Sequence, residues 1–118
     1  MALHNQLGKR GEQMAEQYLL QHGYEVLYCN WRHSHYEIDI IAIKNKVLHF
    51  VEVKLRSSKT FGLPEQFVKK KKFKSLLKAA DEFLFQNQQY RHVQYDILSI
   101  NVSANANPEF FLIEDVYL

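Results

Sequence analysis

Four charged residues interrupt two hydrophobic runs within residues 36–56, YEIDIIAIKNKVLHFVEVKLR. Glu37 and Asp39 lie in the first run, and Glu52 and Lys54 lie in the second. Taking an ion out of water costs several kcal/mol unless the ion is paired or coordinated. Neighbouring carboxylates suit a hard divalent cation, and a lysine beside them can approach a water or a phosphate. The residue types therefore indicate metal-assisted hydrolysis of a phosphodiester.

The turn between the two runs sets how the charges face each other. Asn45 tolerates the left-handed conformation of a tight turn, so Asn45 and Lys46 are predicted to form a two-residue hairpin loop. In that register Asp39 falls opposite Glu52, and Glu37 falls opposite Lys54. Strict alternation along the strands would then place all four charges on one face. The other face is apolar and carries Ile38, Ile40, Ala42, Val51 and Val53.

The elements around this hairpin follow from hydrophobic periodicity and turn residues. A helix is predicted over residues 5–22, with Asn5 as its N-cap and Gly23 as the residue that ends it. Strands are predicted at residues 24–32, 37–43 and 47–55.

The stretch SSKTFGLPE is predicted to be a loop, with Pro64 near the start of a second helix. That helix has the strongest apolar stripe of the chain, formed by Phe73, Leu76, Leu77, Ala80, Phe83 and Leu84. Two final strands, HVQYDILSINV and EFFLIEDVYL, are separated by the loop SANANP. The order of helix, three strands, helix and two strands predicts an α/β fold in which helices pack on a mixed sheet.

Length and composition limit the function classes. The chain has 118 residues, which predicts one domain over residues 1–118, and its net charge of +2 permits nucleic-acid binding without requiring it. The lone Cys29 excludes an intrachain disulfide, and the first residues lack the apolar core of a signal peptide. No apolar run reaches the ~20 residues of a membrane span. We expect a cytoplasmic protein that does not act in a membrane.

Basic residues cluster at two places outside the hairpin. Lys9 and Arg10 lie between two glycines, Gly8 and Gly11, whose small size indicates close approach of the sheet or of a phosphate, unless the first turn frays. The run of lysines at 69–72 is either a solvated helix face or a surface that attracts phosphate, and it has few acidic partners four residues away.

Several blocks of the chain together resemble one family. They are GKRGEQMAEQYLLQHGYEVLYCNWR, EIDIIA, FVEVKLRSS, FGLPEQFVKKKK and YDILSI. The acids and lysine of EIDIIA and FVEVK resemble the PD-(D/E)xK nuclease superfamily, with its restriction-endonuclease-like fold. Over nearly its full length the chain resembles the YraN-like family of predicted endonucleases, which is distantly related to Holliday junction resolvases.

The resemblance implies a role for each matching residue. Asp39 and Glu52 would bind Mg²⁺ or Mn²⁺ with the backbone carbonyl of Val53, and Lys54 would be the catalytic lysine. Glu12 would be the acid of the first helix. The residues themselves leave two roles open for Glu37, which either binds the metal through water or pairs with Lys54. The residues expected to contact nucleic acid are Lys9, Arg10, Arg56, Lys69, Lys70 and Lys72, of which Lys72 best matches the family's helix position.

The implied activity is cleavage of nucleic acid, with DNA as the expected partner and DNA repair or recombination as the process. A homodimer is compatible with the resemblance, because relatives that act on two strands often pair about a two-fold axis. Tyr36 stands where the family usually has glycine, so access to the site is expected to be narrower. Two alternatives stay open: a nucleic-acid-binding module with little or no cleavage, and an interaction protein whose charged hairpin is an ion-pair network.

Overall fold

The computed structural model describes residues 2–56, 70–103 and 106–116. The elements follow the predicted order and are α1 (Ala2–Gln21), β1 (Glu25–His33), β2 (Tyr36–Lys44), β3 (Val47–Arg56), α2 (Lys70–Gln86), β4 (Val93–Ser103) and β5 (Ala106–Ile113). The described strands form one open sheet in the order β1-β2-β3-β4-β5. Neither described helix has the length and apolar character needed to cross a bilayer.

The first helix ends as predicted but begins earlier. The N–H of Gly23 donates to Leu20 O at 3.3 Å and that of Tyr24 donates to Leu19 O at 3.0 Å, while Gly23 has a φ of 87°. These bonds satisfy the last carbonyls of the helix in a Schellman motif. The prediction of Asn5 as N-cap is wrong, because the helix already begins at Ala2. Alanine and leucine at positions 2 and 3 are good helix formers, so the helix extends over them.

The first three strands form an antiparallel meander, and β4 is parallel to β3. The predicted register of the central hairpin is confirmed from Lys44 opposite Val47 to Ile40 opposite Val51. The predicted pairs of Asp39 with Glu52 and of Glu37 with Lys54 are not part of the observed ladder, which ends at Ile40 and Val51. Asn45 and Lys46 have φ values of 53° and 66°, as in a type I′ turn. The two-residue loop therefore sets the register of β2 and β3.

The last strand differs from its prediction at both ends. It begins at Ala106 and ends at Ile113, so Pro108 lies inside the strand rather than in the loop before it. Proline is tolerated there because β5 is an edge strand, where a missing N–H breaks no ladder. Pro64 and the predicted loop around it lie outside the described residues.

Among the described residues, one helix packs on each face of the sheet. The α2 side of the core contains Ile38, Ile41, Leu48, Phe50, Leu76, Ala79, Ala80, Phe83 and Ile97. The α1 side contains Ala15, Leu19, Tyr24, Ile40, Ala42, Val51, Leu98, Ile100 and Val102. Burying both faces explains why strands β3 and β4 carry nearly continuous apolar runs.

The alternation of side chains between the two faces of the sheet is interrupted in β2 near Asp39. Ile38 and Ile41 pack on the α2 side, whereas Ile40 between them packs on the α1 side. Strict alternation would have placed Ile38 with Ile40, so that part of the predicted pattern is wrong. The neighbouring strand has a matching irregularity, because Asn30 of β1 adopts a φ of 56°. The four charges consequently do not share one face of a regular hairpin.

Candidate active site

Asp39 lies where the ladder between β2 and β3 gives way to a side-chain contact. The N–H of Val53 donates to Oδ2 of Asp39 at 2.8 Å. This charged acceptor stands where a strand carbonyl would otherwise lie, and the bond fixes the orientation of the carboxylate. The N–H and C=O of a strand residue point to the same side, so the carbonyl of Val53 is directed toward β2 as well.

Two further carboxylates lie beside Asp39. Glu12 of α1 and Glu37 of β2 each offer an oxygen, and these oxygens and one of Asp39 lie within 4.8 Å of one another. Asn30 Nδ2 donates to Oε2 of Glu12 at 2.6 Å, which orients the helix residue toward the sheet. The structure thus brings together three of the predicted site acids, from two elements that are separated in sequence.

Glu37 has a different ionic partner from the predicted one. It lies opposite Arg32 in the β1–β2 ladder, and its Oε2 is 3.4 Å from Arg32 Nη2. The expected ion pair between Glu37 and Lys54 is therefore not the one observed. Both members of the Arg32–Glu37 pair are exposed, so water screens their attraction.

Glu52 and Lys54 approach from the neighbouring strand. The carboxylate of Glu52 is buried, with 5% of the residue exposed, and Lys54 Nζ lies 3.5 Å from its Oε1. Phe50 packs on the α2 side, so Glu52 and Lys54 alternate onto that side as well. The ammonium group is mostly buried and is held beside the acids by Glu52.

One cleft connects these groups. It has a volume of about 300 Å³ and is lined by His35, Tyr36, Glu37, Asp39, Glu52, Ser75 and Leu76. The acids of β2 and β3 therefore face a common space whose other wall is α2. Tyr36, which stands where the family usually has glycine, forms part of the wall. A narrower access because of this residue stays a prediction.

Burial and neighbouring carboxylates raise the pKa of two groups at the cluster. Burial raises the pKa of Glu12, and the charge of Glu37 raises it further, while the hydrogen bond from Asn30 opposes the shift. Burial, followed by the charges of Glu16 and Glu12, also raises the pKa of the nearby Cys29 thiol to about 11. Carboxylates held this close together favour a cation between them.

The donor set suits a hard divalent cation. Glu12, Glu37 and Asp39 offer carboxylate oxygens at close range, and Glu52 faces the cleft that two of them line. Mg²⁺ and Mn²⁺ prefer oxygen ligands, whereas a structural zinc site would use cysteine or histidine. The residues present therefore fit the metal that the sequence predicted.

Gly11 brings the first helix close to the sheet at this place. A Cβ atom on Gly11 would lie 3.2 Å from Cβ of Leu55 and 3.4 Å from its Cδ2. Of the two predicted reasons for a glycine there, approach of the sheet is confirmed for Gly11. The contact positions the next residue, Glu12, against β2.

The predicted nucleic-acid contacts have different surroundings. Lys9 and Arg10 are exposed on α1, and the charge of Lys9 acts on Glu12. Arg56 is half-buried at the end of β3. Lys69 lies outside the described residues, as do the side chains of Lys70 and Lys72 at the start of α2. Binding of nucleic acid by any of these residues stays a prediction.

Three residues near the acids were missed by sequence reasoning. Asn30 contacts Glu12, Arg32 pairs with Glu37, and Ser75 lines the cleft. The bond between Asn30 and Glu12 joins residues 18 apart on different elements. Helix and strand periodicity carries no signal for such a contact. Arg32 could have been found by pairing the strands at the turn before Tyr36.

A second polar cluster lies nearer the Asn45–Lys46 turn. His49 Nδ1 and Asp96 Oδ2 are 2.7 Å apart and both side chains are buried. Gln94 Nε2 donates to Asp96 Oδ1 at 3.0 Å and to Glu114 Oε1 at 3.2 Å. These bonds give the cluster a structural role in joining β3, β4 and the segment after β5.

Comparison with known sequences gives a family and close relatives. The profile described as "Uncharacterised protein family UPF0102" matches residues 11–100. A UPF0102 protein of Flavobacterium psychrophilum is 44% identical over 100 residues, which cover 85% of this chain and 84% of the relative. One of Bacteroides thetaiotaomicron is 43% identical over 107 residues, covering 91% and 88%. One of Christiangramia forsetii is 38% identical over 117 residues, covering 99% and 98%.

Proposed function

The chain belongs to the uncharacterised family UPF0102, the YraN-like family that its motifs predicted, and from this premise and its acidic cleft we propose that it is a metal-dependent nuclease. The supporting observation is the convergence of carboxylates from α1, β2 and β3 with the lysine that Glu52 holds. The reaction would be hydrolysis of a phosphodiester bond within a strand of nucleic acid, with DNA as the expected substrate.

Each residue has a definite task in this proposal. Asp39 and Glu52 would hold Mg²⁺ or Mn²⁺ with the Val53 carbonyl. Glu12 and Glu37 would contribute negative charge to the site and would contact the ion directly or through a water molecule. The ion would polarise the phosphate and lower the pKa of a bound water. Asp39 needs little reorganisation for this, because Val53 already fixes its carboxylate.

Lys54 would act on the phosphate itself. Its ammonium group lies 3.5 Å from Oε1 of Glu52 and can offset the negative charge that develops as water attacks phosphorus. The attacking water releases a proton to the solvent as its oxygen bonds to phosphorus, the bond to the leaving ester oxygen breaks, and that oxygen takes up a proton from water. Lys54→Ala is expected to slow cleavage by about 100-fold or more.

The cleavage test uses linear, flap and four-way-junction DNA with Mg²⁺ or Mn²⁺. We expect strand breaks with the native protein that depend on the metal and are lost in Lys54→Ala. Glu109→Gln, which removes an exposed carboxylate on β5, is the matched control and is expected to cut like the native protein. Equal cleavage by the native protein and Lys54→Ala would refute the assignment of Lys54.

Metal binding can be tested without any substrate. A Mg²⁺ concentration tenfold above Kd stabilises a protein by about 1.4 kcal/mol, which raises the Tm by roughly 5 °C for a chain of this size. We expect this shift in the native protein and in Glu109→Gln, and little shift in Asp39→Asn. A native protein whose Tm does not respond to Mg²⁺ or Mn²⁺ would contradict the metal site.

One observation favours a second candidate, a binding module with little or no cleavage. Arg32 forms an ion pair with Glu37, one of the clustered acids. A protein that only binds nucleic acid could retain such a pair. DNA retention that weakens with salt, is independent of Mg²⁺ and is accompanied by no strand breaks would favour this candidate.

A further inference from the structure

We propose that the cleft takes one unpaired nucleotide, whose base stacks on Tyr36 and His35 while its phosphate lies at the carboxylates. This inference rests on the proposed nuclease function and names its substrate class. Single-stranded nucleic acid, or a frayed end or flap, is preferred over an intact duplex.

The rings of His35 and Tyr36 lie beside the acids. His35 and Tyr36 line the same cleft as Glu37, Asp39 and Glu52. Their ring centroids are 4.2 Å apart, with planes inclined by 40°. A nucleotide carries a phosphate and an aromatic base next to each other, so a wall of rings beside a group of metal-binding acids matches both parts.

Tyr36 is held firmly enough to act as a platform. It is half-buried, packs against the α2 side of the core and lies opposite His33 at the end of the β1–β2 ladder. An aromatic side chain has few rotatable bonds, and one that is already fixed loses little entropy when a base stacks on it. Every base has a π face, so this contact needs no particular sequence.

The size of the cleft favours an unpaired base. Its volume of about 300 Å³ is at the small end of ligand pockets, and Ser75 and Leu76 of α2 close its other side. In a duplex both faces of a base are covered by its neighbours. A paired base would have to leave its stack to reach Tyr36, and this cost is smallest for a base that is already unpaired.

The binding test uses an oligonucleotide that contains 2-aminopurine, a base whose fluorescence falls when it stacks. It is offered single-stranded and in a perfect duplex, with Ca²⁺ in place of Mg²⁺ or Mn²⁺, so that a hard cation still offsets the charge between the carboxylates and the phosphate. We expect the native protein to quench the single strand and to bind it at least about fivefold more tightly than Tyr36→Leu does. Tyr36→Phe keeps the ring and is expected to behave like the native protein.

Two other variants control for folding and for aromatic surface in general. His35→Ala changes an exposed residue and is expected to weaken single-strand binding in the same direction, so it serves if Tyr36→Leu fails to fold. Phe85→Ala removes an aromatic residue that is 72% exposed and does not line the cleft, and it is expected to change nothing.

The same proteins are then compared with Mg²⁺ for the ratio of single-strand to duplex cleavage. A ratio above one that falls in Tyr36→Leu supports the inference. Suppose instead that the protein cleaves, and that neither the cleavage ratio nor the 2-aminopurine quenching changes in Tyr36→Leu or His35→Ala. That result overturns the inference about the unpaired base, while the nuclease proposal stands. Quenching that depends on Tyr36 without any cleavage overturns the nuclease proposal and retains the site for an unpaired base. If there is neither Tyr36-dependent quenching nor cleavage, the site for an unpaired base and the nuclease proposal are both overturned.

Discussion

At the scale of single residues, a clustered acid opposes stability when burial, and then a neighbouring carboxylate, disfavours its charged form. Glu12 is the clearest case, since burial and Glu37 raise its pKa. A carboxyl whose pKa is higher in the folded state binds more protons there than in the unfolded state. Its ionisation therefore lowers the free energy of unfolding as the pH rises from the unfolded value through the raised one.

Glu12→Gln should remove this penalty. The amide oxygen can still accept the bond from Asn30, whereas the charge is gone. We expect a higher Tm than that of the native protein at pH 7 to 8 in EDTA, and a difference that shrinks as the pH falls below the ordinary glutamate range. Thermal unfolding of both proteins at a series of pH values measures this difference in Tm. A variant less stable than the native protein at pH 8 would contradict the electrostatic cause.

At the scale of elements, the site depends on a local irregularity and on a close contact. The irregularity is the left-handed Asn30 beside the face change of β2, which turns Glu37 and Asp39 toward Glu12. The contact is that of Gly11 with Leu55. Each can be tested through the free energy of unfolding.

Asn30→Ala is expected to cost about 1–2 kcal/mol, because alanine disfavours a positive φ. Asn30→Gly adopts that φ freely, although it also loses the bond to Glu12, and should recover most of the loss. Urea unfolding of both variants gives the comparison. Equal stability of the two would show that the backbone conformation of Asn30 is not what matters.

Gly11→Val should destabilise the protein by about 1–3 kcal/mol, since the added atoms crowd Leu55. Gly11→Ala should cost less, because the gain of about 1 kcal/mol in helix propensity offsets the crowding. Gln13→Val, at an exposed position of the same helix, is the control for valine in a helix. Valine is a better helix former than glycine, so propensity alone would leave Gly11→Val neutral or slightly stabilised. A Gly11→Val variant no less stable than the native protein would contradict the contact with the sheet.

At the scale of the whole molecule, the hydrogen-bonded cluster around Asp96 and the acidic cleft lie at different places along β3. The bond between His49 and Asp96 spans 47 residues and joins parallel strands. His49 precedes Glu52 by three residues, or about 10 Å along the strand. Stability and metal binding should therefore respond to different substitutions.

Asp96→Ala is expected to lower the free energy of unfolding by about 3 kcal/mol, because it leaves a buried histidine without its acceptor. The folded fraction should still gain stability from Mg²⁺ as the native protein does. Urea unfolding with and without Mg²⁺ measures both effects. Loss of the Mg²⁺ response in the folded variant would show that the two sites are coupled.

Much of the fold was readable from the sequence because its signals are local. Apolar periodicity gave the order of helices and strands, Gly23 marked the end of α1, and Asn45–Lys46 set the register of the central hairpin. Errors arose where a neighbouring segment overrides the local pattern. Because alanine and leucine at positions 2 and 3 are good helix formers, α1 begins at Ala2, before the predicted N-cap at Asn5. The edge position of β5 allows Pro108 inside a strand.

The sequence by itself determined which residues could form the site: Asp39, Glu52 and Lys54 stand out because charges are costly in buried strands. Only the tertiary structure decided how they meet. The face change of β2, the approach of α1 at Gly11 and the contacts of Asn30 and Arg32 bring Glu12 and Glu37 to Asp39. These contacts join different elements, and strand or helix periodicity describes only the residues within one element.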